Sequence, residues 1–307
     1  MTTDTRTLGQ RVAAIAQAGI AYAVLAFLVA PIAVIVPLSF SSGSFFHYPL
    51  PGFSLRWYED FFTSPFWLSA LKNSLFLGSI SASLATVLGT LAAIGLWRAN
   101  FALRGVVLAV LISPMVVPVV IVAVGAYFAF APLHLTDGFT GLILVHTALG
   151  APFVVITVLA TLSGFDKNLL RAASICGANP VVGFFRVMLP VILPGIASGA
   201  VFAFATSFDE VVVVLLMAGP EQRTLPRQMF AGINDNISLT ITAAATLLIA
   251  VSTLLMATVG GLKRRASAPR AAAQDAGGAR AAPADRAAQT AGAPLSALPG
   301  AGESVAT

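Results

Sequence analysis

The chain has 307 residues, of which 58% are hydrophobic and only 9% are charged, and its net charge is +5. A soluble domain carries about 25% charged residues, so these few charges cannot cover the surface of a 31.6 kDa globule. The composition therefore disfavours a soluble enzyme and a disordered protein. It also disfavours a nucleic-acid-binding protein, because the 17 Lys and Arg residues are too scattered to form a phosphate-binding stripe.

Six stretches of the chain contain no Asp, Glu, Lys or Arg, and each is at least 22 residues long. A helix needs roughly 20 mostly apolar residues to cross a bilayer, and a buried soluble helix rarely runs so far without a charge. The sequence therefore predicts an all-α integral membrane protein with six transmembrane helices, within a domain formed by residues 1–262. The predicted helices cover about 17–39, 70–97, 106–131, 140–163, 194–218 and 238–262.

The first apolar stretch is predicted to be a retained helix, because it is too long for the core of a typical signal peptide. The loop that follows, at about 41–67, is rich in Gly, Pro and aromatic residues, which is typical of a segment lying on the membrane surface. At its end, Lys72 is expected to extend its charged group to the interface. In the third helix, Pro114 and Pro118 favour a kink, which would be either a packing feature or a hinge.

Between the fourth and fifth helices, the sequence has the local signals of two short helices separated by a bend. Asp166 is well placed to cap a helix that runs to Cys176, and Gly177 offers a left-handed helix end. Pro180 suits the first turn of a second helix, which is expected to end before Pro190. Small residues at the bend would let another protein approach closely.

This segment resembles the EAA signature of bacterial ABC importer permeases, in which Glu-Ala-Ala is followed at fixed spacing by Gly and then by Leu-Pro. One position departs from the signature, because Arg171 stands where the family usually has Glu. The resemblance implies a type I ABC importer permease fold with a cytoplasmic coupling helix that docks on an ATPase subunit. The coupling role would fall on Arg171, Ala172, Ala173, Gly177, Leu189 and Pro190.

The resemblance extends over about 21–259 and is strongest to the C-type permeases of spermidine/putrescine importers. It is carried outside the loop by residues 61–67, 71–78, 207–211, 219–226 and 243–248. It implies a subunit that forms half of the pathway for a small cationic solute, with a polyamine as the first choice. Ferric iron, an opine or an amino-acid derivative stays open as an alternative. The implied partners are a second permease, an ATPase dimer that binds the ATP, and a periplasmic or extracellular solute-binding protein.

Asp209 and Glu210 interrupt the fifth predicted helix. Charges inside a span are costly and usually face a polar pathway, and a carboxylate suits a primary-ammonium substrate. Adjacent helix residues point roughly 100° apart, so one carboxylate is expected to line the substrate pathway and the other to meet the partner permease. The alternative is an ion pair or hydrogen bond between helices that only orients the bundle.

Three weaker features lie in the same half of the chain. Gly195 and Gly199 form a small-xxx-small pattern, which indicates close helix packing. Arg223 and Arg227 flank a turn, where they either contact acidic residues of a binding protein or are solvated. The chain has one cysteine, so no internal disulfide is possible.

The distribution of basic residues predicts the orientation in the bacterial inner membrane. With the N-terminus inside, ten Lys and Arg residues lie in the inner segments and four in the outer segments. Both termini are therefore expected to be cytoplasmic. Residues 263–307 are rich in Ala, Pro and Gly and contain no aromatic residue, so they are predicted to form a disordered cytoplasmic tail.

Other function classes lack the residues that they need. The three histidines share no metal-ligand spacing, and the phosphate-binding sequence G-x-x-x-x-G-K-[ST] is absent. We therefore expect no cofactor in this chain and no enzymatic activity. An ion-coupled secondary transporter is the remaining alternative, since intramembrane acidic residues are normal there. The lack of an internal repeat and the presence of the coupling-type loop argue against it.

Overall fold

The computed structural model describes residues 8–99, 101–235, 238–258 and 260–261. The chain divides into two units, residues 1–259 and 260–307, and the second is described only at Gly260 and Gly261. The predicted tail at 263–307 therefore lies outside the described residues. Within them the fold is all-α, and the only β contact is an isolated bridge between Ser41 and Phe53.

The described helices follow one another along the chain, and the connection from α1 to α2 is a long loop. They are α1 (Leu8–Leu38), α2 (Arg56–Thr63), α3 (Pro65–Arg98), α4 (Arg104–Val116), α5 (Val119–Phe130), a 3-10 turn (Ala131–Leu133), α6 (Phe139–Ser163), α7 (Lys167–Ile175), α8 (Pro180–Gly183), a π-helical turn (Phe184–Met188), α9 (Leu189–Asp209), α10 (Val212–Met217), α11 (Leu225–Asp235) and α12 (Thr240–Thr258).

Five helical segments of the described chain are long and apolar enough to cross a membrane, and α4 with α5 gives a sixth span if the bent pair is counted as one. The prediction of six spans is confirmed in this sense, and α6 lies within one residue of its predicted start. The helices α1 and α3 begin earlier than predicted, at Leu8 and Pro65. The start of α3 at Pro65 is favourable because proline lacks an N–H, and an N–H in the first turn would have no helical partner.

The kink predicted in the third helix, 106–131, is a complete break that divides it into α4 and α5. The α4 and α5 segments are bent by 104° at Val117–Pro118. Val117 has an extended backbone with ψ 132°, which is the conformation that a following proline imposes. The break therefore comes from Pro118, whereas Pro114 lies inside α4 without ending it.

The fifth predicted helix, 194–218, begins earlier than expected and is interrupted. The second short helix does not end before Pro190 but continues through the π-helical turn into α9, so that 180–209 is one helical segment. Proline lacks an N–H and its ring crowds the carbonyl four residues back. The wider turn accommodates this, and the N–H of Leu189 donates to the carbonyl of Phe184, five residues back.

The core of the bundle is formed by α3, α6 and α9. Its buried apolar residues include Ala85, Val154, Leu162, Ile192 and Ala203. A second cluster joins α5, α6 and α10 through Ala123, Leu142, Val213, Val214 and Met217. In contrast, none of the most apolar stretch of α1 is buried within this chain, so α1 lies outside the packed bundle.

The helices α6 and α9 run antiparallel and approach each other closely at Gly195 and Gly199. A Cβ added at Gly195 would lie 2.9 Å from the carbonyl oxygen of Thr157, and one added at Gly199 would lie 2.7 Å from the Cα of Val154. Both distances are shorter than van der Waals contact, and both involve the backbone of α6, which cannot move aside easily. The two glycines therefore set the distance between the helices, as the small-xxx-small pattern predicted.

We expect Gly199→Ala to destabilise the bundle and Gly95→Ala to be neutral or slightly stabilising. Overpacking at Gly199 should cost about 1–3 kcal/mol, whereas a Cβ at Gly95 on α3 meets nothing within 4 Å and gains helix propensity. Thermal unfolding of the purified protein in detergent measures both. Equal melting temperatures for the two variants would contradict the close contact between α6 and α9.

Candidate translocation and coupling sites

The acidic pair lies at a break in the helical backbone. The α9 helix ends at Asp209, Glu210 has an extended conformation with ψ 122°, and α10 begins at Val212. The break allows the two carboxylates to have different surroundings although they are adjacent in sequence. The prediction that they lie inside a continuous helix is wrong for this reason.

Glu210 caps the helix that follows the break. Its Oε1 accepts hydrogen bonds from the backbone N–H groups of Val212, at 2.7 Å, and Val213, at 3.1 Å. The first N–H groups of a helix have no partner within the helix, and a carboxylate also interacts favourably with the positive end of the helix dipole. Glu210 thus stabilises the start of α10, whose Val213 and Val214 are buried.

Asp209 is exposed and stands at the negative end of α9. Where α3 and α4 end, the next residue donates its backbone N–H to a carbonyl in the last turn. The end of α9 has no such bond from Glu210 among the described contacts. Free carbonyl oxygens and the Asp209 carboxylate therefore come together at one place, and both attract cations.

A buried contact fixes the end of α9 to α6. The Nδ1 of His146 lies 2.7 Å from the Oγ of Ser207, two residues before Asp209, and both side chains are buried. His146 therefore has a structural partner. No group of three or more His, Cys, Asp or Glu residues in the described part of the chain is arranged to hold a metal ion.

The segment after α10 is held by Asn73, which the sequence did not indicate, and by Arg227, which it indicated only as a docking or solvated residue. Asn73 donates from Nδ2 to the carbonyls of Glu221, at 2.8 Å, and Arg223, at 2.9 Å. Arg227 donates from Nη1 to the carbonyls of Ala218 and Gly219 at 3.0 and 2.8 Å. Arg227 thus neutralises the negative end of α10. The contacts of Asn73 join residues about 150 positions apart in sequence, so no local sequence pattern predicts them.

The coupling loop, defined here as residues 164–190, has the predicted geometry around its bend. Asp166 accepts the N–H of Asn168 at 2.9 Å and so caps α7. Gly177 has a φ of 85°, and its N–H donates to the carbonyl of Ser174 while the N–H of Ala178 donates to that of Ala173, both at 3.0 Å. This pair of bonds is the Schellman helix end, which favours glycine at the left-handed position.

The base of the coupling loop rests on the end of α3. Phe165 packs edge-to-face against Trp97 with ring centroids 5.7 Å apart, and the Nζ of Lys167 lies 5.1 Å from the centre of the Trp97 ring. A cation over an aromatic ring contributes about 0.5–2 kcal/mol. The loop is therefore attached to the core at its base, while Ile175 at the far end of α7 is 87% exposed.

The six residues of the predicted coupling role divide into a group around the bend and a group at the start of α9. Arg171, Ala172 and Gly177 are exposed, and Ala173 is half-buried. Leu189 packs against the core cluster of α3, α6 and α9, and Pro190 lies in the first turn of α9. The first group faces outward, where a partner could reach it, and the second connects the loop to the bundle.

A family model described as the inner membrane component of binding-protein-dependent transport systems matches residues 85–270. The chain belongs to this family of ABC importer permeases.

Among its curated relatives is the spermidine/putrescine transport system permease protein PotC of Escherichia coli K12. The permease is 32% identical to it over 238 residues, which cover 78% of this chain and 90% of PotC. The putrescine transport system permease protein PotI of the same organism is 31% identical over 73% of this chain and 82% of PotI.

The fold is also found in a solved structure of a bacterial ABC transporter involved in the import of the acidic polysaccharide alginate. The TM-score is 0.64 at 15% sequence identity, with 85% of this chain and 99% of that chain covered. At this identity the likeness concerns the fold alone, and it agrees with the all-α type I permease architecture predicted from the sequence.

For this permease we expect replacement of Glu210 to affect stability through the cap on α10. Glu210→Ala removes both hydrogen bonds and should lower the free energy of unfolding by about 1 kcal/mol. Glu210→Gln keeps an acceptor oxygen at the same position and should lower it by less. Thermal unfolding in detergent distinguishes the two, with Asp209→Ala as the control, because Asp209 makes no hydrogen bond among the described contacts. A larger loss in the Asp209 variant would contradict this division of roles.

Proposed function

We propose that this permease forms half of the translocation pathway for a small cationic solute, and that the solute is a polyamine of the spermidine/putrescine class. The observation that carries the proposal is the exposed Asp209 carboxylate at the free carbonyl end of α9. The relatives PotC and PotI support the polyamine, since their names state spermidine/putrescine and putrescine transport.

The chemistry of this helix end suits an ammonium group. A primary ammonium has three donors and no acceptor, so it can bond to the carboxylate and to carbonyl oxygens together. Hydrogen bonds between charged groups are stronger than neutral ones. An anionic solute would meet only acceptors here and would be repelled.

The remaining parts of the importer would be supplied by other chains. A second permease would complete the pathway and would cover apolar surfaces such as α1, which this chain leaves unpacked. ATP hydrolysis would take place in two partner ATPase subunits, so this chain would carry out no covalent chemistry. A solute-binding protein would deliver the polyamine at the end of the bundle opposite the coupling loop.

The coupling loop would transmit the motion of the ATPase to the acidic helix end. Residues 180–209 form one helical segment, and the 21 residues of α9 alone span about 31 Å at roughly 1.5 Å per residue. Movement of α7 would therefore tilt α9 and displace Asp209 at its far end. By the positive-inside rule the basic residues near the loop favour the cytoplasmic side for it, and both termini would lie on that side of the inner membrane.

We expect Asp209→Asn to reduce polyamine uptake by about tenfold or more, because a charged hydrogen-bond partner contributes roughly 1.5–3 kcal/mol and 1.4 kcal/mol corresponds to tenfold. Uptake of labelled putrescine is measured in vesicles that contain the assembled transporter and its binding protein. The control is Asp137→Asn, a carboxylate in the loop before α6.

Normal assembly is verified by copurification with the ATPase. Unchanged uptake kinetics in Asp209→Asn would exclude Asp209 from the pathway. Competition by ferric iron, opines or amino-acid derivatives in the wild type, without competition by spermidine, would replace the polyamine with another cargo.

We expect Gly177→Val to uncouple ATP hydrolysis from transport. A residue with a Cβ at φ 85° costs roughly 1–2 kcal/mol in the left-handed region, so the bend should change shape while the bundle remains folded. The measurement is ATPase stimulation by the loaded binding protein. The control is Gly164→Ala at the start of the loop, where an added Cβ would make only an ordinary van der Waals contact, at 4.0 Å from the carbonyl oxygen of Thr161. Full stimulation in Gly177→Val would show that the bend is not part of the coupling contact.

A further inference from the structure

A loop rich in aromatic residues joins α1 to α2 at the end of the bundle opposite the coupling loop. This aromatic loop, defined here as residues 39–55, begins where α1 ends at Leu38. It leads through α2 into the start of α3, and the other end of α3 carries Trp97 at the base of the coupling loop. The aromatic loop contains no Asp, Glu, Lys or Arg residue.

The two ends of the aromatic loop are joined by backbone hydrogen bonds. The N–H of Ser42 donates to the carbonyl of Gly52 at 3.0 Å, and the N–H of Ser54 donates to the carbonyl of Phe40 at 2.7 Å. These groups therefore need no water molecule as a partner, which is the condition for placing a backbone in lipid. The same bonds hold the loop in one shape.

The side chains of the aromatic loop are distributed in the reverse of the order that water favours. Ser39 and Ser41 are fully buried, whereas Phe45 and Phe53 are 80% and 82% exposed. The hydroxyl groups of both serines take part in hydrogen bonds within the chain. Large exposed apolar side chains next to buried polar ones indicate that the surroundings of the loop are themselves apolar.

The aromatic loop also folds back along α1. The Oη of Tyr48 donates to the carbonyl of Val34 at 2.7 Å, and Val34 lies four residues before the end of α1 at Leu38. At roughly 1.5 Å per residue, this is about 6 Å inside the helix. The stretch Val12–Leu38 is long and apolar enough to cross a membrane. Tyr48 therefore lies at the level of the last turn of a span, where tyrosine is enriched in membrane proteins.

A charged residue borders the aromatic loop at the start of α2. The Nη2 of Arg56 donates to the carbonyl of Gly43 at 2.8 Å and lies 3.0 Å from the Oγ of Ser44. Its guanidinium carbon is 4.1 Å from the centre of the Trp57 ring. An arginine beside a tryptophan is typical of the level at which lipid headgroups begin. The uncharged loop next to it offers a protein partner no charge to pair with.

We propose that the aromatic loop inserts into the bilayer interface on the side opposite the coupling loop, with the rings of Phe45 and Phe53 among the lipid chains. The hydrogen-bonded backbone carries these rings into lipid, and the contact of Tyr48 with Val34 fixes the depth at which α1 ends. Since α1 is not packed within this chain, the loop supplies an attachment that the bundle does not. The inference concerns neither the solute nor the ATPase, so it stands or falls apart from the proposed function.

The test measures the surroundings of the loop in the assembled transporter, with cysteine-free partner subunits, in bilayers of phosphatidylcholine and phosphatidylglycerol. Spin labels are attached to Phe45→Cys and to Phe53→Cys, each combined with Cys176→Ser, which removes the one native thiol of the chain. The matched control is Glu59→Cys, on an exposed position of α2, and it carries the same label.

The collision rates of each label with oxygen and with a water-soluble nickel chelate are compared. Oxygen enters lipid, whereas the polar chelate is excluded from it. The ratio of the oxygen rate to the chelate rate should be about tenfold higher at Phe45 and Phe53 than at Glu59.

Two results would overturn the proposal. Equal ratios at Phe45, Phe53 and Glu59 would show that the loop lies in water. Exclusion of both reagents from the two Phe positions would show that a protein covers the loop. Repeating the measurement without the solute-binding protein would then tell whether that protein or the second permease is the cover.

Discussion

The close contact between α6 and α9 is the interaction on which the rest of the bundle depends. Gly195 and Gly199 let the backbones approach until a single added carbon would collide with α6. Apolar side chains gain little by leaving lipid, so close packing and interhelical hydrogen bonds hold membrane helices together. The pair His146 and Ser207 supplies such a bond farther along the same contact. The position of the acidic helix end is thus set by α6.

The same contact determines what can move. The α9 helix is continuous with α8 through the π-helical turn, and the coupling loop is attached to α3 by the Trp97 and Phe165 rings. A displacement of the loop therefore reaches α9 through the backbone. The close contact with α6 at Gly195 and Gly199 supports α9 during this displacement. Motion at one end can change the surroundings of Asp209 at the other without unfolding either helix.

Much of this architecture follows from where charges are absent. The charge-free stretches locate the spans, and the local signals of Asp166 and Gly177 predict the end of α7 correctly because capping is decided by neighbours in sequence. The breaks are harder to foresee. The apolar sequence resumes at Val211 directly after the two acids, so hydropathy cannot reveal that the backbone leaves the helix there. The expected helix end at Pro190 was wrong, since a π-helical turn accommodates the proline.

The contacts that the sequence did not predict are those between residues far apart in sequence or in separate helices. Arg227 had been weighed only as a docking or solvated residue, but it pairs with the carbonyls of Ala218 and Gly219. Asn73 had no signal at all, because its partners lie in a segment distant in sequence.

A membrane protein must satisfy nearly every backbone group from its own atoms, because lipid offers no partners. A broken helix such as α9–α10 exposes donors on one side of the break and acceptors on the other. Glu210 satisfies the donors of α10, so the negative charge that remains available belongs to Asp209 and the carbonyls of α9. Because Oε1 of Glu210 accepts both N–H groups of α10 and Asp209 lies on the other side of the break, the two adjacent acids have different surroundings. The break itself, more than either acid, therefore creates the place where a cation would be stabilised within the span.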